Sequence, residues 1–333
     1  MASKTDRFTR SDGTHLGRPM GAEPARMNEF ERLELYAKVQ RPPAVKFKDL
    51  EEVVSSRIVR NQIHFDYRFD FLRVTGDTVL VPITVQIPNR QLTFQNREGV
   101  HSAVVNLFAR ISTLTGRVVQ TFEDVISRDF PESLLQPSLN SASIYQKAVP
   151  LRPGLYRLDI VLKDVQSGNV GVVNTRLAVP RYDDDKLEAS TLILADQIER
   201  VPAKQVGLGP FVIGSSKVRP KLNQEFTNSE KMGIFLQVYN LKVDDNSHKA
   251  NASVEYHVRR ATDQQEVAKF VETSEQLNQT GEQLTVEKLI SLANLQPGRY
   301  KLEIQATDQL SHQSISRSAE FSVKAAANKS PGR

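Results

Sequence analysis

Two stretches of this 333-residue sequence decide the fold: LRPGLYRLDIVLKD (151–164) and LQPGRYKLEIQATD (295–308), which begin 144 residues apart. Each begins with a Pro-Gly pair, which is typical of a tight turn because proline sets φ near −65° and glycine tolerates positive φ. Alternating apolar residues follow, as in a strand with one buried face. We therefore expect the same kind of domain to occur twice in the chain.

A tyrosine follows each of these turns and opens the next strand. A tyrosine in that place fits the tyrosine corner of immunoglobulin-like sandwiches. The shared turn and tyrosine are the structural sites that the sequence predicts. They are Pro153, Gly154 and Tyr156 in the first copy, and Pro297, Gly298 and Tyr300 in the second.

Other segments of both copies also alternate between apolar and polar residues. In IHFDYRFDF (63–71) the aromatic side predicts a buried face, and Asp70 is expected on the solvent side. Asp159 in the first quoted stretch is expected on the solvent side for the same reason. The same alternation occurs in DTVLVPITVQI (77–87), GIFLQVYN (233–240) and SVEYHV (253–258).

A strict immunoglobulin domain carries a Cys…Trp…Cys pattern, and this sequence contains neither residue. We therefore predict an all-β protein with two tandem immunoglobulin-like or fibronectin-III-like β-sandwiches. A short, partly helical N-terminal segment precedes them, with helices expected near 28–40 and 47–56. The predicted boundaries are 1–58 for the N-terminal segment, 59–181 for β-sandwich 1, 182–206 for a linker, 207–324 for β-sandwich 2 and 325–333 for a disordered tail.

Composition argues against several functional classes. The chain is 39% hydrophobic and 25% charged, and its net charge of +5 is spread without a block of like charges, so nucleic-acid binding is not predicted. No apolar stretch reaches the ~18–20 residues that span a bilayer. The first residues lack the apolar core of a signal peptide. The absence of cysteine excludes disulfides and thiolate chemistry.

The sequence contains no local motif for catalysis or for cofactor binding. It has no G-x-S-x-G elbow, no P-loop and no HExxH pair, so we predict neither catalytic residues nor a cofactor. The acidic run Asp183, Asp184 and Asp185 is interpreted as a solvated turn, with a calcium-binding corner as the alternative. Polysaccharide is an alternative ligand, against which the absence of tryptophan counts.

Several long segments resemble the C-terminal part of GWxTD-domain-containing proteins, a bacterial family common in acidobacteria. The resemblance covers about residues 3–324. The segment that names the family is missing, because the sequence contains no tryptophan. The segments that carry the resemblance are RPPAVKFKDLEEVVSSRI (41–58), DTVLVPITVQIPN (77–89), STLTGRVVQTFEDVISRDFPESLL (112–135), SIYQKAVPLRPGLYRLDIVLKD (143–164) and LILADQIERVPAKQ (192–205).

This resemblance implies a chain that begins at an internal methionine, and relatives that are exported to the cell envelope. It supplies no known catalytic residues. The resulting hypothesis is a non-enzymatic tandem module in the bacterial cell envelope, acting in protein interaction or as a structural spacer, with a protein partner. Two alternatives stay open: carbohydrate binding, and accessory domains of an enzyme whose catalytic domain lies upstream.

Overall fold

The chain has an all-β fold built from two β-sandwiches, as the sequence predicts. The computed structural model describes residues 45–55, 61–202, 211–277, 279 and 281–326, and these form twenty β-strands and two α-helices. Both sandwiches belong to one compact unit, Phe47–Arg333. The helix expected near 28–40 and most of the predicted tail lie outside the described residues.

The first sandwich pairs two antiparallel sheets. Sheet I contains β1 (Asp66–Phe69), β2 (Leu72–Thr75), β3 (Thr78–Pro88) and β7 (Ala142–Leu151). Sheet II contains β4 (Gln95–Arg97), β5 (Val100–Thr113), β6 (Val118–Pro131), β8 (Gly154–Asp164) and β9 (Val170–Val179). In sheet I, β1 and β2 pair with β3, and β7 also pairs with β3. A 3₁₀ turn (Asn89–Gln91) follows β3, and helix α2 (Glu132–Leu139) joins β6 to β7.

The second sandwich also pairs two sheets, which are antiparallel except for one parallel pair of strands. Sheet III contains β10 (Glu188–Ala189), β11 (Ile193–Arg200), β12 (Val212–Ile213), β13 (Ser216–Pro220), β15 (Lys231–Tyr239) and β18 (Leu284–Ser291). Sheet IV contains β14 (Glu225–Thr227), β16 (Ala252–Arg260), β17 (Glu266–Thr273), β19 (Gly298–Asp308) and β20 (Ser314–Lys324). The parallel pair is β14 with β20. The two quoted stretches become β8 and β19, each paired on both sides, so each is an interior strand of its sheet.

Period-two alternation correctly identifies the core faces of β3, β8 and β19. In β1 the aromatic side is expected to be buried, but Tyr67 is 36% exposed. Along β3, every second side chain from Val79 to Ile87 is at most 1% exposed. The second sandwich has a separate core, in which Tyr256 and Tyr300 are 0% and 1% exposed. Apolar side chains alternate because successive residues of a strand point to opposite faces, and one face lies between the two sheets.

Two acidic residues expected on solvent-facing sides are buried instead: Asp70 is 0% exposed and Asp159 is 2% exposed. Asp159 lies on the outer face of sheet II, where Arg157 Nε donates to it over 2.9 Å and Asn174 also donates. Asp70 lies where the two sandwiches meet. Alternation predicts which side chains share a face, but other elements decide whether that face meets water.

The segment 182–206, predicted as a linker, contains strands β10 and β11, and both pair with β15 in sheet III. Leu192 and Leu194 enter the core of the second sandwich, whereas Ile193 and Ala195 face the first. The run Leu192–Ala195 is buried on both faces, as in a central strand. The second sandwich therefore begins before residue 207.

The helix predicted at 47–56 is present as α1 (Lys48–Ser55) and packs on sheet II. Leu50 and Val54 are its buried residues. Lys163 of β8 pairs with Asp49 at 2.6 Å, and Glu123 of β6 accepts a hydrogen bond from the Phe47 N–H at 3.0 Å. This helix is amphipathic, with an apolar side toward the sheet, so part of the sheet's outer face is covered.

Candidate functional site

The two sandwiches meet through a buried apolar contact between sheet I and sheet III, which we call the seam. Leu72 comes from the first sandwich, and its partners come from four strands of the second. Leu80 and Ile198 pack at the margin of this contact. The buried residues of the seam are Leu72, Ile193, Ala195, Ile213, Val218 and Phe235. Removal of this apolar surface from water holds the two domains together.

A buried ion pair lies beside the seam. Arg68 Nη2 lies 2.6 Å from Asp70 Oδ1, and Arg68 Nε lies 2.9 and 3.0 Å from the two carboxylate oxygens. The same Nη2 donates to the carbonyl of Leu192 in the second sandwich over 2.9 Å. Burial raises the pKa of Asp70, and the Arg68 guanidinium offsets part of that rise.

Main-chain and hydroxyl hydrogen bonds cross the same boundary. Phe71 N–H donates to Thr191 Oγ1 over 2.8 Å, and Thr191 N–H donates to the Phe71 carbonyl over 3.1 Å. Arg73 N–H donates to Tyr239 Oη of β15 over 3.1 Å, and Tyr182 Oη donates to the Phe71 carbonyl over 3.1 Å. Tyr182 and Tyr239 belong to the core cluster of the first sandwich, so a residue of β15 completes that core. Burial raises the pKa of Tyr239 to about 12.

The acidic run 183–185 lies beside this boundary, where two of its three carboxylates pair with cationic side chains. Asp184 pairs with Arg73, which also donates to Asn240. Asp183 pairs with Lys186 at 2.8 Å. Within the part of the chain that the structure describes, no group of three His, Cys, Asp or Glu residues is placed to hold a metal ion. The calcium alternative therefore has no geometric support among the described residues.

Both predicted tyrosines form the hydrogen bond of a tyrosine corner. Tyr156 Oη donates to the Arg152 carbonyl over 3.0 Å, and Tyr300 Oη donates to the Gln296 carbonyl over 2.7 Å. In both copies the acceptor lies four residues upstream. This bond ties the turn before the strand to the strand itself.

The glycines of these corners do not adopt the left-handed conformation that a Pro-Gly turn predicts. Gly154 has a φ of 157°, close to fully extended, and Gly298 has no positive φ. A side-chain carbon added at either glycine would lie nearest to the following tyrosine ring, at 3.6 and 3.7 Å. Pro153 and Pro297 lie in the bends that directly precede β8 and β19.

Replacing Tyr300 with phenylalanine is expected to lower the free energy of unfolding by about 1–2 kcal/mol, because the Gln296 carbonyl loses its donor. Tyr156→Phe is the matched variant and is expected to cost less, because Tyr156 is more exposed than Tyr300, which is 1% exposed. Urea denaturation monitored by circular dichroism measures the free energy of unfolding of both variants and of the wild type. Equal costs would contradict the dependence on burial.

Sequence reasoning missed a second shared feature, the aspartate that ends each quoted stretch. Asp164 accepts hydrogen bonds from the Thr93 and Gln166 amides at 2.9 and 3.0 Å and from Ser167 Oγ at 2.8 Å. Asp308 accepts from the Lys242 and Leu310 amides, both at 2.9 Å, and from Ser311 Oγ at 2.6 Å. The signal is present in the sequence as D-x-x-S in both copies.

These two aspartates each fasten the turn after a central strand to a loop from the opposite sheet. Burial alone would raise the pKa of Asp308, but the hydrogen bonds from Ser311, Lys242 and Leu310 outweigh it and lower the pKa below its ordinary value. The stability that this carboxylate contributes is therefore present above that ordinary value, 3.8, and is lost as the pH falls through the folded-state pKa.

We expect Asp308→Asn to cost about 1.5–3 kcal/mol near neutral pH. The difference in unfolding free energy between wild type and variant should be constant above about pH 5 and shrink below pH 4. Guanidinium titrations from pH 7 to pH 3 measure it. Asp245→Asn, in an exposed turn of the same sandwich, is the control. A difference that grows with acidity would contradict the assignment.

An acid, a lysine and a tyrosine link the edges of the two sheets in each sandwich. In the first, Tyr145 Oη donates to Asp124 over 2.5 Å, and Lys147 Nζ lies 3.6 Å from the same carboxylate. Burial and the Asp124 carboxylate raise the pKa of Tyr145. In the second, Tyr256 and Lys288 contact Glu272 at 2.8 and 2.6 Å. The tyrosine comes from β7 in one copy and from β16 in the other.

The first sandwich keeps a groove at this place. It has a volume of about 780 Å³ and runs along the edges of β6 and β7, and its far side is formed by Phe211–Ile213 of the second sandwich. Side chains on its walls are mixed in chemistry, with Asp124, Arg128 and Lys147 beside Ile144 and Ala148. The groove is large enough for a short segment of polypeptide.

Comparisons with solved structures give matches of low similarity. No protein-family profile matches the chain, and no curated protein matches it. A calcium-binding mutant of Bacteroides uniformis β-glucuronidase 2 is 15% identical, with a TM-score of 0.27, over 38% of this chain and 16% of that chain. Trypsin-activated α2-macroglobulin from Escherichia coli is 12% identical, with a TM-score of 0.23, over 82% of this chain and 16% of that chain.

A Northeast Structural Genomics Consortium target, SoR45, is 16% identical, with a TM-score of 0.24, over 37% of this chain and 91% of that chain. The chain thus spans about a sixth of the glucuronidase and macroglobulin chains that it matches. No function follows from similarities at this level. Among the described residues, none of the helices is both long enough and apolar enough to cross a bilayer.

Proposed function

We propose that this chain is a non-enzymatic interaction module that holds two β-sandwiches in one fixed arrangement. The observation that carries the proposal is the seam, in which Leu72 of the first sandwich is buried against Ile193, Phe235 and Val218 of the second. Domains joined by a flexible linker move independently unless their interface is large and apolar. An apolar seam flanked by buried hydrogen bonds favours a single orientation.

The sheet edges on the surface of the module support the interaction part of this proposal. Sheet edges leave main-chain donors and acceptors unpaired, and strands of another protein can pair with them. The resemblance noted in the sequence gives a bacterial cell-envelope setting as part of this proposal. A rigid pair of sandwiches in that setting would keep a binding surface at a set distance from its attachment point.

The alternative of polysaccharide binding has less support from the side chains. Carbohydrate-binding faces use exposed aromatic rings, and Phe65, Tyr156, Tyr256 and Tyr300 are buried or partly buried. Tyr67 is 36% exposed and stacks on Phe69 with ring centroids 6.3 Å apart. Within the described part of the chain, this one exposed ring is a small platform compared with the extended edges of the sheets.

The fixed arrangement is tested by a distance measurement between the sandwiches. Thr115 and Thr262 lie in equivalent exposed turns of the two copies, and the chain has no cysteine of its own. Spin labels are attached after Thr115→Cys and Thr262→Cys substitution. Pulsed electron–electron double resonance should then give one narrow distribution of distances between the two labels. A distribution as broad as that of a flexible two-domain chain would refute the proposal.

A further inference from the structure

We propose that the groove beside β7 binds an extended peptide segment of a partner protein, which adds to β7 as a further strand. This inference rests on the proposed interaction function and names its site and the class of partner. The occupant is a polypeptide in the β conformation, because the groove presents the main-chain groups of a strand edge. It also presents positive charge, which an acidic side chain of the segment would complement.

The edge of β7 directs main-chain groups into the groove. Among the described strands, β7 pairs with β3 alone. The carbonyl of Ile144 accepts a hydrogen bond from Arg128 Nη2 over 3.1 Å, so it points away from β3. In an antiparallel strand the N–H and C=O of every second residue point to the same side. The groups of Gln146 and Ala148 therefore also point away from β3.

A second hydrogen bond shows independently that the main-chain groups of Ala148 point away from β3. Pro82 of β3 lies opposite Ala148, and its carbonyl accepts the Asp70 N–H at 3.1 Å on the β1–β2 side. Because proline has no N–H and its carbonyl points away from β7, the groups of Ala148 have no partner on β3. Ala148 is exposed, so a segment lying in the groove can reach its N–H and C=O.

The far wall of the groove is a second strand edge. Ile213 pairs with Ser216, and the Phe211 carbonyl accepts the Val218 N–H at 2.8 Å, so the intervening Val212 points its main-chain groups away from β13. An added segment would therefore lie between two strand edges, β7 and β12. Ile213 also belongs to the seam, so the groove is continuous with the established contact between the sandwiches.

Charge on the walls favours an acidic side chain in the segment. The partners of the Arg128 guanidinium are neutral oxygens of Ser143, Ser127 and Ile144, so its positive charge is not cancelled there. Among the described residues, Lys147 forms an ion pair with Asp124 alone, at 3.6 Å, and it is 48% exposed. An aspartate or glutamate between these two cations would gain from both.

The equivalent place in the second sandwich is closed by side chains. Lys288 lies over the rings of Phe270 and Tyr256, at 4.8 and 5.6 Å, and pairs closely with Glu272. Tyr256 and Phe270 stack with centroids 4.3 Å apart. The two copies share the acid and the lysine but differ in what fills the opening, so the first copy alone offers this groove to a segment of about five residues.

The test uses the full chain and a display library of random linear peptides as the probe. We expect enriched peptides to alternate apolar residues with at least one acidic residue, and to bind with a measurable Kd in calorimetry. Ala148→Pro should weaken binding at least about tenfold, because it removes the outward N–H without removing a β3–β7 hydrogen bond. Ala148→Ser keeps the N–H and should bind as wild type.

A second measurement leaves the protein unchanged and so does not depend on the folding of the proline variant. Two N-methylated forms of the enriched peptide are compared, one methylated at the odd and one at the even main-chain nitrogens. The form that loses the N–H groups facing β7 should not bind, and the other form should bind as the unmodified peptide does. Failure of the library to enrich any peptide over a blank surface would overturn the groove assignment. Equal binding to the Ala148→Pro variant, or equal binding of the two methylated forms, would also overturn it.

The spin-label distance separates this inference from the proposed function. A narrow distribution without peptide binding would overturn the groove and leave the fixed arrangement standing. A broad distribution would overturn the fixed arrangement, whatever the peptides do.

Discussion

Arg68→Ala is expected to destabilise the protein by about 3–5 kcal/mol at pH 7, because it leaves a charged carboxylate buried without its partner. Asp70 is 0% exposed, and within the described part of the chain its carboxylate accepts side-chain hydrogen bonds from Arg68 alone. The variant also removes the donor to Leu192, which crosses to the second sandwich. Guanidinium unfolding at pH 7 measures the loss.

The pH dependence of this variant is a further expected result. Burial raises the pKa of Asp70, and the variant lacks the guanidinium that offsets part of that rise. A carboxyl whose folded-state pKa lies above its unfolded value costs stability once the pH exceeds that unfolded value, and the cost is relieved as the pH falls. Arg68→Ala should therefore recover stability toward acid pH relative to wild type.

The control is the double variant Arg68→Met with Asp70→Leu, which replaces the pair by apolar side chains. Buried ion pairs replaced in this way are often neutral or stabilising, so most of the lost stability should return. A single variant that costs less than about 1 kcal/mol would mean that water reaches Asp70 and that the pair is not buried in solution.

Phe235→Ala should cost about 3–5 kcal/mol, the usual range for a buried phenylalanine. Phe235 is 0% exposed and lies in the seam. We expect its loss to uncouple the sandwiches as well as to destabilise them, because the cavity opens at their contact. The distance distribution between labels at 115 and 262 should broaden, and unfolding should separate into two transitions.

Phe226→Ala is the matched control for this prediction. Phe226 is 1% exposed and lies inside the core of the second sandwich, away from the seam. The Phe226→Ala variant should lose a similar free energy of unfolding while the distribution of distances between the labels stays narrow. If both variants broaden the distribution equally, the seam does not hold the arrangement and general destabilisation explains the result.

Much of the fold could be predicted because a repeated pattern carries two kinds of information. Alternation identified the buried faces of β3, β8 and β19, and repetition of the Pro-Gly-x-Tyr turn indicated two similar domains. These signals are local, since they depend on neighbours within one strand. The tyrosine corner is local too, because its acceptor lies four residues away.

The features that sequence reasoning missed depend on contacts between distant residues. Asp70 carries the same local signal as a solvent-facing aspartate, yet it is 0% exposed, and its partner Arg68 donates to Leu192 of the second sandwich. The apolar run Leu192–Ala195 falls in the predicted linker 182–206, yet burial on both faces places it between a core and the seam. The groove is likewise formed by strands about 65 residues apart.

The contribution of Tyr239 to the first sandwich has a consequence for how the chain is made. Synthesis proceeds from the N-terminus, and domains generally fold in that order as they emerge. Here the first core includes Tyr182 and, 57 residues later, Tyr239, which stack edge to face with centroids 5.6 Å apart. The first sandwich therefore leaves the ribosome unfinished, and its last apolar gap is filled only when much of its neighbour has already been translated.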